Sequence, residues 1–128
     1  MIPGLVDSHV HLWRSENDLL LYVANGVTLV REMHGTDLHI KWRDEIENGR
    51  IGPDLNIIAA QLATYDFAQG IWVDMTAERN VVRSDEDVRR TVKSLLDAGF
   101  DGLKASSFLS RPAYQAASKE TREHKARF

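Results

Sequence analysis

Cysteine is absent from this chain, so a disulfide framework and a thiolate metal site are both excluded. No apolar stretch approaches the roughly 20 residues of a membrane-spanning helix, and the N-terminus lacks the basic-then-apolar order of a signal peptide. No excess of positive charge exists either. Lys and Arg number 16 against 19 Asp and Glu, a formal net charge of −3. The electrostatic footprint of a nucleic-acid or anionic-membrane partner is therefore missing. Low-complexity segments, disordered linkers and close repeats are also lacking. What remains is ordinary for a globular protein: 43% apolar and 27% charged residues. With 128 residues the chain is long enough for a real core, and residues 1–128 are expected to form one domain in a cytoplasmic protein.

Short apolar runs alternate with helical patterns. The first strand is expected over 5–12, after Pro3-Gly4. Ser15, with Asp18 three residues on, opens a helix that stops at Asn25-Gly26. Residues 27–33 form a second strand. Thr36 or Asp37 caps a helix carrying Leu38, Trp42 and Ile46, with Gly49 as its stop. Residues 55–62 are apolar on both faces, as a buried parallel strand should be. Ser84 opens the clearest helix, with Val88, Val92, Leu95 and Leu96 at i, i+4, i+7 and i+8 and Gly99 at its end. A fourth strand spans 100–106, and Ser110 with Pro112 starts a last helix reaching about Lys125. Four βα units imply an α/β fold with a parallel sheet and right-handed crossovers. Ligands of such folds gather at the carboxyl ends of the strands.

Two imidazoles stand at such an end, in His9-Val10-His11. Strand side chains alternate faces, so both point the same way, about 6–7 Å apart. That suits two ligands of one divalent ion, since imidazole binds zinc-like metals well. Alone, the pair is more simply the end of a strand with two solvated histidines. Lys104 lies near the end of the fourth strand, where a lysine is costly unless its charge is paired or neutralised. Alone again, it would reach the rim or pair with an acid there.

Four segments change that balance. Pro3-Gly4-Leu5-Val6-Asp7-Ser8-His9-Val10-His11 resembles the first-strand signature of the amidohydrolase superfamily. Asn25–Gly35 is similar to its second strand, and Trp42–Pro53 to its run from helix to third strand. Ala98–Lys104, with Leu109–Tyr114, resembles its fourth-strand segment. The resemblance is nearest to the imidazolonepropionase-like and Xaa-Pro dipeptidase-like branch, and it covers nearly the whole chain in order.

The resemblance implies a (β/α) TIM-barrel type fold, of which this chain holds the first four units as a half-barrel. It implies that His9 and His11 bind a divalent metal, most simply Zn2+, in a site that holds two ions when complete. Lys104, carboxylated by carbon dioxide, would bridge them as a carbamate. The activity implied is hydrolysis of a carbon–nitrogen bond in an amide or small, dipeptide-like substrate by a metal-activated water. Full members are closed barrels of about 250 residues. They draw two more histidines from the fifth and sixth strands and an aspartate from the eighth, which takes the proton from water. Those positions have no counterpart here, so no catalytic residue is assigned. His34, after the second strand, is a candidate substrate contact, whereas His39 and His124 read as solvated helix residues. Trp13 is expected to pack the rim, and Arg31 and Glu32, at the end of the second strand, could pair with each other or reach the site, and neither is assigned. The connection after the third strand, with Tyr65, Asp66, Phe67, Trp72, Asp74 and Met75, is a candidate pocket wall or, more simply, a satellite apolar cluster that closes the end of the sheet.

Two readings follow. One is a metal-dependent hydrolase whose site is completed by a missing C-terminal half. The other is a catalytically inactive half-barrel that only folds or associates, since exposed strand flanks invite a homo-oligomer.

Overall fold

A computed structural model describes residues 2–64 and 80–128; the connection with Tyr65, Asp66, Phe67, Trp72, Asp74 and Met75 lies outside them. The elements run β1 (Leu5–Val10), α1 (Asn17–Ala24), β2 (Val27–Gly35), α2 (Asp37–Glu47), β3 (Asp54–Ala59), β4 (Leu62–Ala63), β5 (Asn80–Val81), α3 (Asp85–Asp97) and α4 (Arg111–Glu123). The fold class is α/β, with parallel strands and alternating helices. Among the described residues no helix is long and apolar enough to cross a membrane. The chain divides into two compact units, Met1–Ile58 and Ala59–Phe128.

In the first unit the sheet order is β1-β2-β3, and β1 pairs with β2 in parallel. Gly26 starts this pairing. Its φ of +79° ends α1, and its carbonyl accepts the Leu5 N–H at 2.9 Å. The register pairs Asp7 with Val30 but Val10 with Glu32, so β1 carries one extra residue around Ser8-His9. Such a bulge bends a strand and re-aims its side chains. Val10, Leu12, Leu19, Val30, Trp42, Leu55, Ile57 and Ile58 are buried. The start of α1 differs from expectation. Glu16, not Ser15, holds the cap position, without a side-chain bond, and Ser15 contributes its carbonyl, which accepts the Asp18 N–H.

The second unit rests on a cluster of Leu62, Val82, Val88, Val92, Leu103, Ala113 and Ala117. Leu95 and Leu96 pack against it, so α3 uses the apolar stripe that its sequence spacing implies. The Ser84 hydroxyl accepts the Asp87 N–H at 3.1 Å, and the Ser110 hydroxyl caps α4 in the same way through the Ala113 N–H. Ser84→Ala is expected to cost about 1 kcal/mol, read as a shift of the urea midpoint at constant slope.

The third and fourth strands are less continuous than the apolar runs suggest. The third breaks at Ala60-Gln61, between β3 and β4, where Asn80 bonds both carbonyls, the second as part of the parallel pairing of β4 with β5. The Asn80 side-chain amide donates to Ala60 O at 2.8 Å and its N–H to Gln61 O at 2.9 Å. Residues 100–106 form no continuous ladder, only isolated parallel bridges of Ala105 with Leu62 and of Gly102 with Arg127. The segment is still tied on both flanks. Ala59 N–H donates to Gly102 O, Leu62 N–H to Lys104 O and Ser106 N–H to Leu62 O, at 2.8–3.0 Å. On the other side Leu103 N–H donates to Arg127 O at 3.0 Å. Arg127 thus occupies the start of a further parallel strand position.

Candidate functional site

Parallel pairing of β1 and β2 brings their carboxyl ends together, and with them a group of rings. His9 and His11 share one face, opposite buried Val10, with ring centroids 5.4 Å apart. Trp13 stacks on His11 at 5.4 Å and 23°. His34, only 5% exposed, lies 6.1 Å from the His11 ring and 5.8 Å from Trp13. The structure therefore gathers His9, His11, Trp13 and His34 at one end of the first unit's sheet. Lys104 belongs to the second unit, where it is half-buried and its carbonyl accepts the Leu62 N–H.

Glu32 and His39 hold this group, and neither was assigned to the site from the sequence. Glu32 is fully buried, and its carboxylate accepts the Leu12 N–H at 2.5 Å and the His34 N–H at 2.6 Å. His11 Nδ1 stands 3.9 Å from the same carboxylate. The signal was available, since Val30, Glu32 and His34 alternate on the buried face of β2.

His39 corrects an expectation. It is not solvated but 1% exposed. It occupies the third position of α2, where a side chain can reach back to the cap. Thr36 N–H donates to its Nδ1 at 3.0 Å, so the proton sits on Nε2, which donates to Trp13 O at 2.8 Å. Burial pushes the His39 pKa below its usual value of 6.5, against the opposing pull of Glu32 and of the Trp13 bond. This brace holds Trp13 at a φ of +50°, a left-handed conformation unusual for a bulky residue. His124, by contrast, is exposed on its helix end, 3.5 Å from Glu120.

As a ligand set the group is partial. Two imidazoles on one exposed face fit a zinc-like ion, and the carboxylate near His11 Nδ1 is the kind of outer partner that orients a metal-binding histidine. Among the described residues no group of three or more His, Cys, Asp or Glu side chains is arranged to hold an ion.

No protein-family model matches the chain, and no curated protein matches its sequence. Solved structures do. A protein of Bifidobacterium longum assigned as a prolidase aligns with a TM-score of 0.77 and 21% identity, over 97% of this chain and 33% of that one. Bottromycin amidohydrolase aligns at 0.78 and 25% identity, over 97% and 26%. A prolidase complexed with N-methylphosphonate-L-proline aligns at 0.78 and 20%, over 97% and 41%. The chain spans about a quarter to two fifths of the length of these structures. Its fold is that of βα units from an amidohydrolase-superfamily barrel, and its structural neighbours are hydrolases.

Proposed function

We propose that residues 1–128 are the first four βα units of one metal-dependent amidohydrolase barrel domain, and that the complete protein hydrolyses an amide bond in a small, dipeptide-like substrate. The observation that carries this reading is the pairing of His9 and His11 rings on one exposed face at the carboxyl end of β1. The prolidase and amidohydrolase neighbours support the bond type.

His9 and His11 would hold the ion, and Lys104, carboxylated on its side-chain nitrogen, would add an anionic ligand. When bound, a zinc-like ion supplies an activated water and polarises the substrate carbonyl. His34 and Trp13, beside His11, form the wall against which a substrate packs. Trp13 offers an apolar ring face, and the bonds around it keep that ring in place.

The test is to express the chain with its downstream coding sequence, supply Zn2+ and bicarbonate, and assay dipeptides and N-acyl amino acids. Turnover that is abolished by His11→Ala and falls without bicarbonate is expected. The 128-residue chain alone should bind Zn2+ weakly and reversibly, because two histidines leave an ion under-coordinated. Robust turnover by the short chain as a monomer would overturn the reading of an incomplete site. Failure of the extended protein on every amide would favour the half-barrel that only folds or associates.

A further inference from the structure

We propose that Glu32 is a positioning residue: its two carboxylate oxygens tie the end of β1 to the end of β2 and so set where the His11 and His34 rings stand. The register carries the first half of this. Val10 is the last residue of β1 and pairs with Glu32 itself, so the Leu12 N–H lies beyond the ladder. A buried N–H needs an acceptor, and Glu32 Oε2 takes this one. His11 is thereby held from both sides by one residue, through the backbone pairing of Val10 and the side-chain bond to Leu12. Glu32 Oε1 takes the His34 N–H and lies 3.9 Å from His11 Nδ1.

The chemistry admits few substitutes. Two buried donors face the group, so a side chain with two acceptor oxygens satisfies both. Glutamine keeps one acceptor and turns an N–H donor towards the other N–H. Aspartate is one methylene shorter and cannot span both amides. A carboxylate here also suits the ring behind it, because a partner beside Nδ1 fixes a histidine's orientation when its other nitrogen meets a metal. For metal binding the inference rests on the function proposed above, whereas its geometry stands without it.

The experiment is solution NMR on the 15N-labelled 128-residue chain, with Co2+ as the metal probe. In the wild-type protein the Leu12 and His34 amides should exchange slowly and resonate far downfield. In Glu32→Gln the ring resonances of His11 and His34 should move, while the Val88 and Val92 amides keep their shifts. Co2+ affinity should fall roughly 10- to 100-fold, and Glu32→Asp should not restore it. Leu12 and His34 amides that exchange like exposed loop amides would overturn the proposal, a result that needs no variant to fold. Unmoved His11 and His34 rings in Glu32→Gln would overturn it too. If the rings move but the wild-type chain takes up no Co2+, the positioning role stands and the metal reading fails. If Co2+ binds the wild type and the rings stay put, the metal reading stands and the positioning role fails.

Discussion

Replacing His39 by leucine is expected to destabilise the protein by about 2 kcal/mol or more, because two partly buried backbone groups lose their partner at once. The Thr36 N–H would lose Nδ1 and the Trp13 carbonyl would lose Nε2–H. Each unmet group costs about 1–3 kcal/mol, a large share of the roughly 5–15 kcal/mol that a domain commands. Leucine keeps the volume, so a cavity would not account for the loss. The effect should also depend on pH. The folded chain holds His39 neutral, with its pKa below 6.5, while the unfolded chain binds a proton near 6.5. The stability contributed by neutral His39 is complete above pH 6.5 and declines as pH falls through the folded-state value. Urea unfolding at a series of pH values should show this decline in the wild type and a flatter profile in His39→Leu. Near-UV circular dichroism should change as well, since Trp13 loses the bond that holds its left-handed backbone. Equal stability of the two proteins at pH 7.5 would show that the brace is not needed.

His39 also shows where sequence reasoning stopped. A histidine in a polar helical turn looks solvated, and nothing in the 3.6-residue period of α2 places it inside. Its burial follows from a long-range bond to Trp13, and sequence periodicity carries no information about such a partner. Glu32 is the opposite case. Strand alternation put it on the buried face with Val30 and His34, but a buried carboxylate is credible only once its two N–H donors are known. The α/β alternation and the helix caps at Ser84 and Ser110 were legible, because local residue chemistry decides them. The third and fourth strands were legible as apolar runs but not as ladders. The third strand is interrupted at Ala60, whose carbonyl takes the side-chain amide of Asn80, a partner distant in sequence. The shared face of His9 and His11 followed from parity, and their rings stand 5.4 Å apart although β1 carries an extra residue between Asp7 and Val10.

Leu62→Ala is expected to cost the second unit about 2–5 kcal/mol and to loosen the segment that carries Lys104. Leu62 is fully buried at the centre of the cluster formed with Val82, Val88, Val92 and Leu103. Truncation removes its contacts there and leaves a void lined by branched side chains, which collapse only in part. The backbone makes this more than a packing defect. Leu62 donates to the Lys104 carbonyl and accepts from the Ser106 N–H, so its two peptide groups bracket Ala105 and hold the lysine next to it through its own carbonyl. A side chain that no longer anchors β4 lets those two bonds open together. The measurements are the urea midpoint and the hydrogen exchange of the Ser106 amide, with Leu62→Met as the control. Methionine nearly conserves volume and should cost less than about 1.5 kcal/mol. In Leu62→Ala the Ser106 amide should exchange faster by more than the global loss of stability accounts for. If its protection falls only in step with that loss, Leu62 stabilises the unit through packing alone, and Lys104 is held by other bonds.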